Sequence, residues 1–286
     1  MKQWYKYIKP YLKYFITGPI CMIVEVIGEM LMPFMLAVVI DAGRAGTLTV
    51  TKSILIALGM IGIAAMMMVG GVGGAYFGAK ASVSFAADLR ADVYKKVQEF
   101  SFKNIDKFST GSLVTRLTND VTQLQNFVNM LLRMALRSPG MMIGGIIMAV
   151  VLKPDLSVVL AVTVPLMMFA IMGLIFMGFR LFSKMQLKID KLNSTVQESV
   201  TNVRVVKSFV REDHENDKFR TANGELKKSG MSAMKIMIFM GPVSTIFMNV
   251  TTLIVLWLGS NSVAGGDMEV GSLSAFLTYV SQILMS

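Results

Sequence analysis

Cysteine and histidine each occur once in 286 residues. A lone Cys21 excludes an internal disulfide, and with His214 as the single histidine there is no His-based metal cluster. Charge is scarce as well: Asp, Glu, Lys and Arg make up 16% of the chain, where a soluble domain carries about a quarter. No Gly-x-x-x-x-Gly-Lys-Ser/Thr run occurs, so the phosphate-cradling loop of many nucleotide-binding proteins is not in this stretch.

Apolar residues take the vacated share, at 54% with a mean hydropathy of +0.60. Uncharged windows run over Ser53–Ala79, Ser138–Leu152, Leu156–Phe179, Ile236–Gly266 and Val270–Ser286, and Tyr14–Ile40 is broken only by Glu25 and Glu29. A span needs about 20 mostly apolar residues. The reading is an all-α membrane protein with spans near 15–40, 54–79, 132–152, 156–179, 237–263 and 270–286. The third helix is expected to start before Ser138 and take in Arg133 and Arg137. The last window is still apolar at Ser286, which reads as a sixth span cut short.

The opening MKQWYKYIKPYLKYF alternates lysines with aromatic rings. Such a pattern suits the headgroup layer, as an interfacial elbow over 2–14 or as a plain positive anchor. It is no cleavable signal, since a long apolar stretch without a small-residue cleavage site follows. The net charge of +10 does not point to nucleic acid, because of where it sits. With the N-terminus inside, 25 of the 28 Lys and Arg fall on the inner side, and only Arg44, Lys52 and Lys153 outside.

The long polar stretches near 80–131 and 180–236 are helical in pattern. Leu113, Leu117, Val121, Leu124, Val128 and Leu131 mark one helix face, and Ile189, Leu192, Val196, Val200, Val203, Val206 and Val210 another. Two hairpins leaving the membrane are expected, turning at Ser109-Thr110-Gly111 and within Phe209–Asp217. About thirty residues at 1.5 Å each would reach roughly 45 Å beyond it.

Inside the spans, Glu25 and Glu29 share a helix face. A charge at span centre costs about 2.5–3.5 kcal/mol, so such residues face a bundle interior or a watery cavity. Two readings stay open: a cavity acid that attracts cationic amphipathic cargo, or an internal ion pair with Arg133 or Arg137, which otherwise snorkel to the inner boundary. The 26 methionines suit a pocket accepting many shapes; Cu(I) would want Cys or His beside them. Gly70, Gly71, Gly73, Gly74 and Gly78 allow close helix contact, and Pro165 and Pro242 mark kinks.

The runs FSTGSLVTRLTNDVTQLQ (108–125) and ESVTNVRVVKSFVREDHENDKF (198–219), with MEVGSLSAF (268–276), give the chain its resemblance. It resembles the transmembrane domain of ATP-binding-cassette exporters along its whole length, and among them one subunit of bacterial heterodimeric multidrug exporters. The resemblance implies a six-span bundle with long cytoplasmic extensions, in a bacterial inner membrane. It implies two coupling helices: a first at about Thr110–Thr115, with Thr110, Gly111, Ser112 and Arg116, and a second at about Phe209–His214, with Phe209 as anchor, Arg211, Glu212 and Asp213 as its rim, and His214 at its end. Implied partners are the chain's own and its partner's nucleotide-binding domains, a second subunit forming a heterodimer, membrane lipids and small amphipathic substrates. ATP and Mg2+ would be held in a nucleotide-binding domain after the sixth span. Cavity candidates are Glu25, Glu29, Met32, Phe247, Asn249 and Tyr279. A lipid or peptide cargo fits the same frame, and a non-transporting receptor or scaffold is the alternative of another class. For Phe108–Asp120 the plain alternative is a solvated hairpin end.

Overall fold

A computed structural model describes residues 2–101 and 110–286, with side chains from residues 4 and 111 onward in the two stretches. The elements begin with α1 (Lys2–Ile8), a 3₁₀ turn at Lys9–Tyr11, α2 (Leu12–Arg44) and α3 (Val50–Gln98). Then come α4 (Thr110–Thr115), a π turn at Arg116–Asp120, α5 (Val121–Met134) and α6 (Arg137–Leu152). The remainder is α7 (Pro154–Thr201), α8 (Val203–Ser208), α9 (Glu212–Ala264) and α10 (Val270–Met285). Five stretches are long and apolar enough to cross a membrane, and α10 is a shorter apolar helix, among the described residues. The 49 residues of α3 extend over roughly 74 Å, more than twice a hydrocarbon core of about 30 Å. Its polar half, from Lys80 on, therefore lies outside the apolar layer.

The chain divides into two compact units, Met1–Ser157 with Val255–Ser286, and Val158–Ile254. In the first, α2 and α3 meet through glycines. A Cβ at Gly70 would lie 2.9 Å from both the Cys21 carbonyl oxygen and the Glu25 amide nitrogen, and Gly74 and Gly78 continue the contact at Met22 and Gly18. Small residues at this i, i+4 spacing let backbones approach where apolar solvent gives no hydrophobic drive. Helix α10 is the most enclosed element, burying Phe276, Tyr279, Val280 and Ile283 against α2 and α6.

On the polar half of α3, Phe85, Ala86 and Leu89 form a core with Val121. The elbow joins it: Trp4 stacks on Phe85 at 6.1 Å, Tyr7 meets the same ring edge-on at 6.0 Å, and the Tyr7 hydroxyl donates to Asp92. Lys6 pairs with Asp92 as well. Hydrogen bonds from Lys6 and then Tyr7 hold that carboxyl below its usual value.

Among the described residues, three helices end in a Schellman motif, in which the residue after the C-cap takes a left-handed conformation. After α2 that residue is Gly46, with Thr47 N–H donating to Ala42 O at 3.1 Å; after α9 it is Gly266, with Asp267 N–H donating to Ser262 O at 2.9 Å. After α8 it is Val210, at φ 49°, with Arg211 N–H donating to Val206 O at 3.0 Å. A β-branched residue there is a true outlier.

Several sequence expectations shift. The third membrane helix does not run unbroken through Arg133 and Arg137, because it is interrupted at Ala135–Leu136. Pro139 explains this: its ring opposes the carbonyl four residues back, at Ala135, and it offers no N–H in return. On α5, Leu132 rather than Leu131 continues the buried face. The second expected apolar face is largely open, with Val196, Val200, Val203 and Val210 exposed, and Thr195 is the buried residue there. Ser109 lies outside the described residues, as does Phe108, while Thr110 and Gly111 open α4.

In the second unit, α7 and α9 run antiparallel. Gly178 faces Ile236, Gly230 faces Met185, Glu225 accepts from Lys188 and Lys191 at 3.0 Å each, and Glu198 accepts from Lys218 at 2.7 Å. The turn is narrower than Phe209–Asp217. Only Phe209–Arg211 separates α8 from α9, since Glu212, Asp213 and Glu215 occupy the first turn of α9 and complement its dipole.

Candidate functional site

The intramembrane acids of the first unit converge on one base. Arg137 Nη2 lies 2.6 Å from Glu29 Oε1 and 3.6 Å from Glu25 Oε1. The break at Ala135–Leu136 starts α6 at Arg137 and so sets that side chain against α2. Arg137 is thus engaged by two carboxyl groups of α2, the partners an intramembrane base requires. The ion pair is present, and Glu25 and Glu29 each also line a concavity beside it.

Two concavities flank the cluster. One, about 610 Å³, is lined by Glu25, Arg137, Arg133, Asn126, Asn129 and Met22 among others. The second, about 410 Å³, is mostly apolar and lined by Glu29, Met32, Leu36, Met60, Met67 and Gln282, with Pro33 and Thr278. Sequence reasoning reached Glu29 and Met32 but missed Gln282, which gave no signal beyond being a polar residue in an apolar run. Tyr279 is corrected as a cavity residue. It is fully buried, and its hydroxyl donates to the Met30 carbonyl oxygen at 2.6 Å, because a phenol inside a packed bundle needs an acceptor. Phe247 and Asn249 belong to the second unit, half-buried and exposed respectively.

At the far end of α2, Asp41 Oδ1 accepts the Gly271 N–H at 2.6 Å. This carboxylate caps α10 from another helix, where Glu269 makes no side-chain cap of its own. A Cβ on residue 271 would lie 2.3 Å from the Ala37 carbonyl oxygen, so only glycine permits the approach. Nothing in the sequence announced this pairing across 230 positions.

The two polar tips are small helices. In α4, Thr115 donates to Gly111 O at 2.9 Å; Ser112 is half-buried and Arg116 opens the π turn. In the second tip the separate short helix is Val203–Ser208, six residues upstream of the expected Phe209–His214. Asn202 leaves helical geometry before it and the strained Val210 closes it. Phe209 and Val210 are 73% and 81% exposed, side by side at the turn. Lys207 pairs with Glu212 at 2.9 Å, and its hydrogen bond holds the Glu212 carboxyl below its usual value. Asp213 and His214 are exposed, and Arg211 closes the Schellman motif. The tip thus presents an apolar pair inside a charged rim.

A multi-pass helical membrane domain, with a paired acid cluster in its apolar layer and polar helical tips beyond it, is the class these features define. Residues 15–286 match the ABC transporter transmembrane region, and the chain belongs to that family. It is 32% identical over 287 residues to the uncharacterized ABC transporter ATP-binding protein YfiB of Bacillus subtilis, covering 99% of this chain and 49% of that protein. With the uncharacterized ABC transporter ATP-binding protein Mb1304c of Mycobacterium bovis it shares 33% over 283 residues, 98% of this chain and 48% of the other. ABC transporter B family member 4 of Dictyostelium discoideum is 27% identical over 205 residues, 71% of this chain and 26% of the relative. The chain spans about half the length of the bacterial relatives.

Proposed function

We propose that this chain is the membrane half of an ATP-driven exporter. It moves amphipathic or hydrophobic compounds out of the cytoplasm or inner leaflet by alternating access. The observation that carries this reading is the pair of exposed apolar residues, Phe209 and Val210, on a strained turn at the end of helices far longer than a bilayer. An aromatic anchor inside a charged rim suits a groove on a soluble motor. The names of the bacterial relatives include ATP binding, and each is about twice this length. On this reading ATP and Mg2+ bind nucleotide-binding domains, this chain's own and its partner's, which the tips at α4 and α8 engage. The working unit is a heterodimer in a bacterial inner membrane, with the N-terminus and tips in the cytoplasm. The side with the excess of Lys and Arg supports that orientation.

Methionine-lined cavities support a cargo of varied shape. The test is the ATPase rate of the full-length complex over a chemically varied panel. Stimulation by many unrelated amphiphiles is expected. Response to a single lipid or peptide would move the cargo to that class, and no response to any would remove the transport reading.

A further inference from the structure

Two lysines mark the edge of the apolar layer on neighbouring helices. Lys13 is the last charge before the apolar run of α2, and Lys80 is the first after that of α3. The close approach of Gly18 to Gly78 sets them at one level: a Cβ at residue 18 would lie 3.3 Å from the Gly78 amide nitrogen. Tyr14 joins the two. Its ring centroid is 5.5 Å from Lys13 Nζ and 4.8 Å from Lys80 Nζ, and the Tyr76 ring lies 5.7 Å from Lys80 Nζ. Phe77 backs both tyrosines, stacked on Tyr14 at 6.0 Å and edge-on to Tyr76 at 5.4 Å.

The charge at this level is not balanced. Among the described residues neither lysine has a carboxyl partner, whereas Lys6 pairs with Asp92. Residues 1–24 hold no acid, and neither do α5 and α6. Along α3 the nearest carboxyl is Asp88, eight residues beyond Lys80, or about 12 Å of helix. Arg133 adds a third positive charge here, its Cγ 3.6 Å from where a Cβ at Gly78 would sit. A ring face attracts an ammonium without cancelling its charge, and a lysine there keeps N–H donors for an anion.

Toward the membrane the surface turns apolar and stays open. Tyr76, Val72 and Val69 continue the Lys80 face at helical spacing, each more than half exposed. A free phosphate would use the lysines alone, whereas a phospholipid would use the lysines and this face together.

We propose that Lys13 and Lys80 hold the phosphate of one anionic phospholipid, in the leaflet on the side of the helical hairpins. Its acyl chains lie along Tyr76, Val72 and Val69. A zwitterionic lipid brings a cationic group toward the same ammonium pair and is disfavoured. The site is independent of what the chain transports, so it stands or falls apart from the exporter reading.

The probes are tail-labelled fluorescent phosphatidylglycerol and phosphatidylcholine, each titrated against the full-length protein in dodecyl maltoside micelles and followed by anisotropy. Phosphatidylglycerol should bind about tenfold tighter, since a lysine beside an anionic headgroup contributes about fivefold before salt screening. Lys13→Gln with Lys80→Gln should bring that ratio to about twofold or less. Lys13→Arg with Lys80→Arg keeps both charges and should preserve the ratio, which separates loss of charge from loss of fold. Lys227→Gln with Lys228→Gln removes the same charge from an exposed stretch of α9 and should change nothing. Equal affinity for the two lipids in the unaltered protein, or an unchanged ratio in the Lys13 and Lys80 glutamine pair, overturns the proposal. An equal fall in the Lys227 and Lys228 pair, or a collapse in the arginine pair, overturns it as well. So does displacement of the lipid by millimolar inorganic phosphate, which would make this a site for free anions.

Discussion

Replacing Arg137 by Met removes the only base paired to Glu25 and Glu29 among the described residues, while keeping most of the side-chain bulk. Breaking a fully buried pair costs about 3–5 kcal/mol, because the orphaned charge stays behind. An exposed pair is worth about 0–1 kcal/mol. Here the side chains are 33% exposed for Arg137 and 20% and 18% for the two glutamates. The expected loss therefore lies between those limits, at about 2–3 kcal/mol. Adding Glu25→Gln and Glu29→Gln to Arg137→Met leaves no charge to strand, and most of the loss should be recovered. Unfolding of the full-length protein and its variants, followed as a mutant cycle, reads the coupling. If Arg137→Met is as stable as the parent, or if the added Gln substitutions recover nothing, the cluster does not hold the helices together.

Other expectations follow from single contacts. Within α3, Gly70→Ala sets a methyl 2.9 Å from the backbone of α2 and should destabilise by about 1–3 kcal/mol. Gly62→Ala in the same helix meets nothing within 4 Å and should be neutral or stabilising in the same unfolding assay. Asp41→Ala uncaps α10 and should cost roughly 1 kcal/mol, with faster amide exchange at Gly271. Phe209→Ala should leave folding intact, since the ring is 73% exposed, yet separate ATP hydrolysis from transport. Normal transport in that variant would dismiss Phe209 as the anchor. Hydrogen bonds from Lys191 and Lys188 hold the Glu225 carboxyl below the ordinary glutamate value. The lowered value means the clasp stabilises above that ordinary value and fades as pH falls through the folded one. The difference in thermal midpoint between the parent and Glu225→Gln should therefore shrink on acidification.

Local patterns carried a good part of this structure. Uncharged windows located the membrane helices because a span must satisfy its own backbone and shed charge. The glycines at 70, 74 and 78 announced a close approach that α2 fulfils at Gly18, Met22 and Glu25. The pairing of Glu25 and Glu29 was within reach as one of two readings, but choosing Arg137 required knowing that Pro139 breaks the third helix at Ala135–Leu136. The fully buried Tyr279, the cap from Asp41 and the contact of Gln282 with Glu29 join positions more than 200 residues apart. No periodicity encodes such pairs. The exact place of the short helix before Phe209 also escaped, since it depends on a valine in a conformation that valine seldom adopts.

ATP-driven movement of an amphiphile across the membrane is the central proposal. Inside-out vesicles carrying the full-length complex, given a fluorescent amphipathic amine with and without ATP, measure it directly. Accumulation that needs ATP and is lost when Phe209 is replaced by Ala is the expected result. Accumulation equal with and without ATP, or none in either case while the complex hydrolyses ATP, would contradict it.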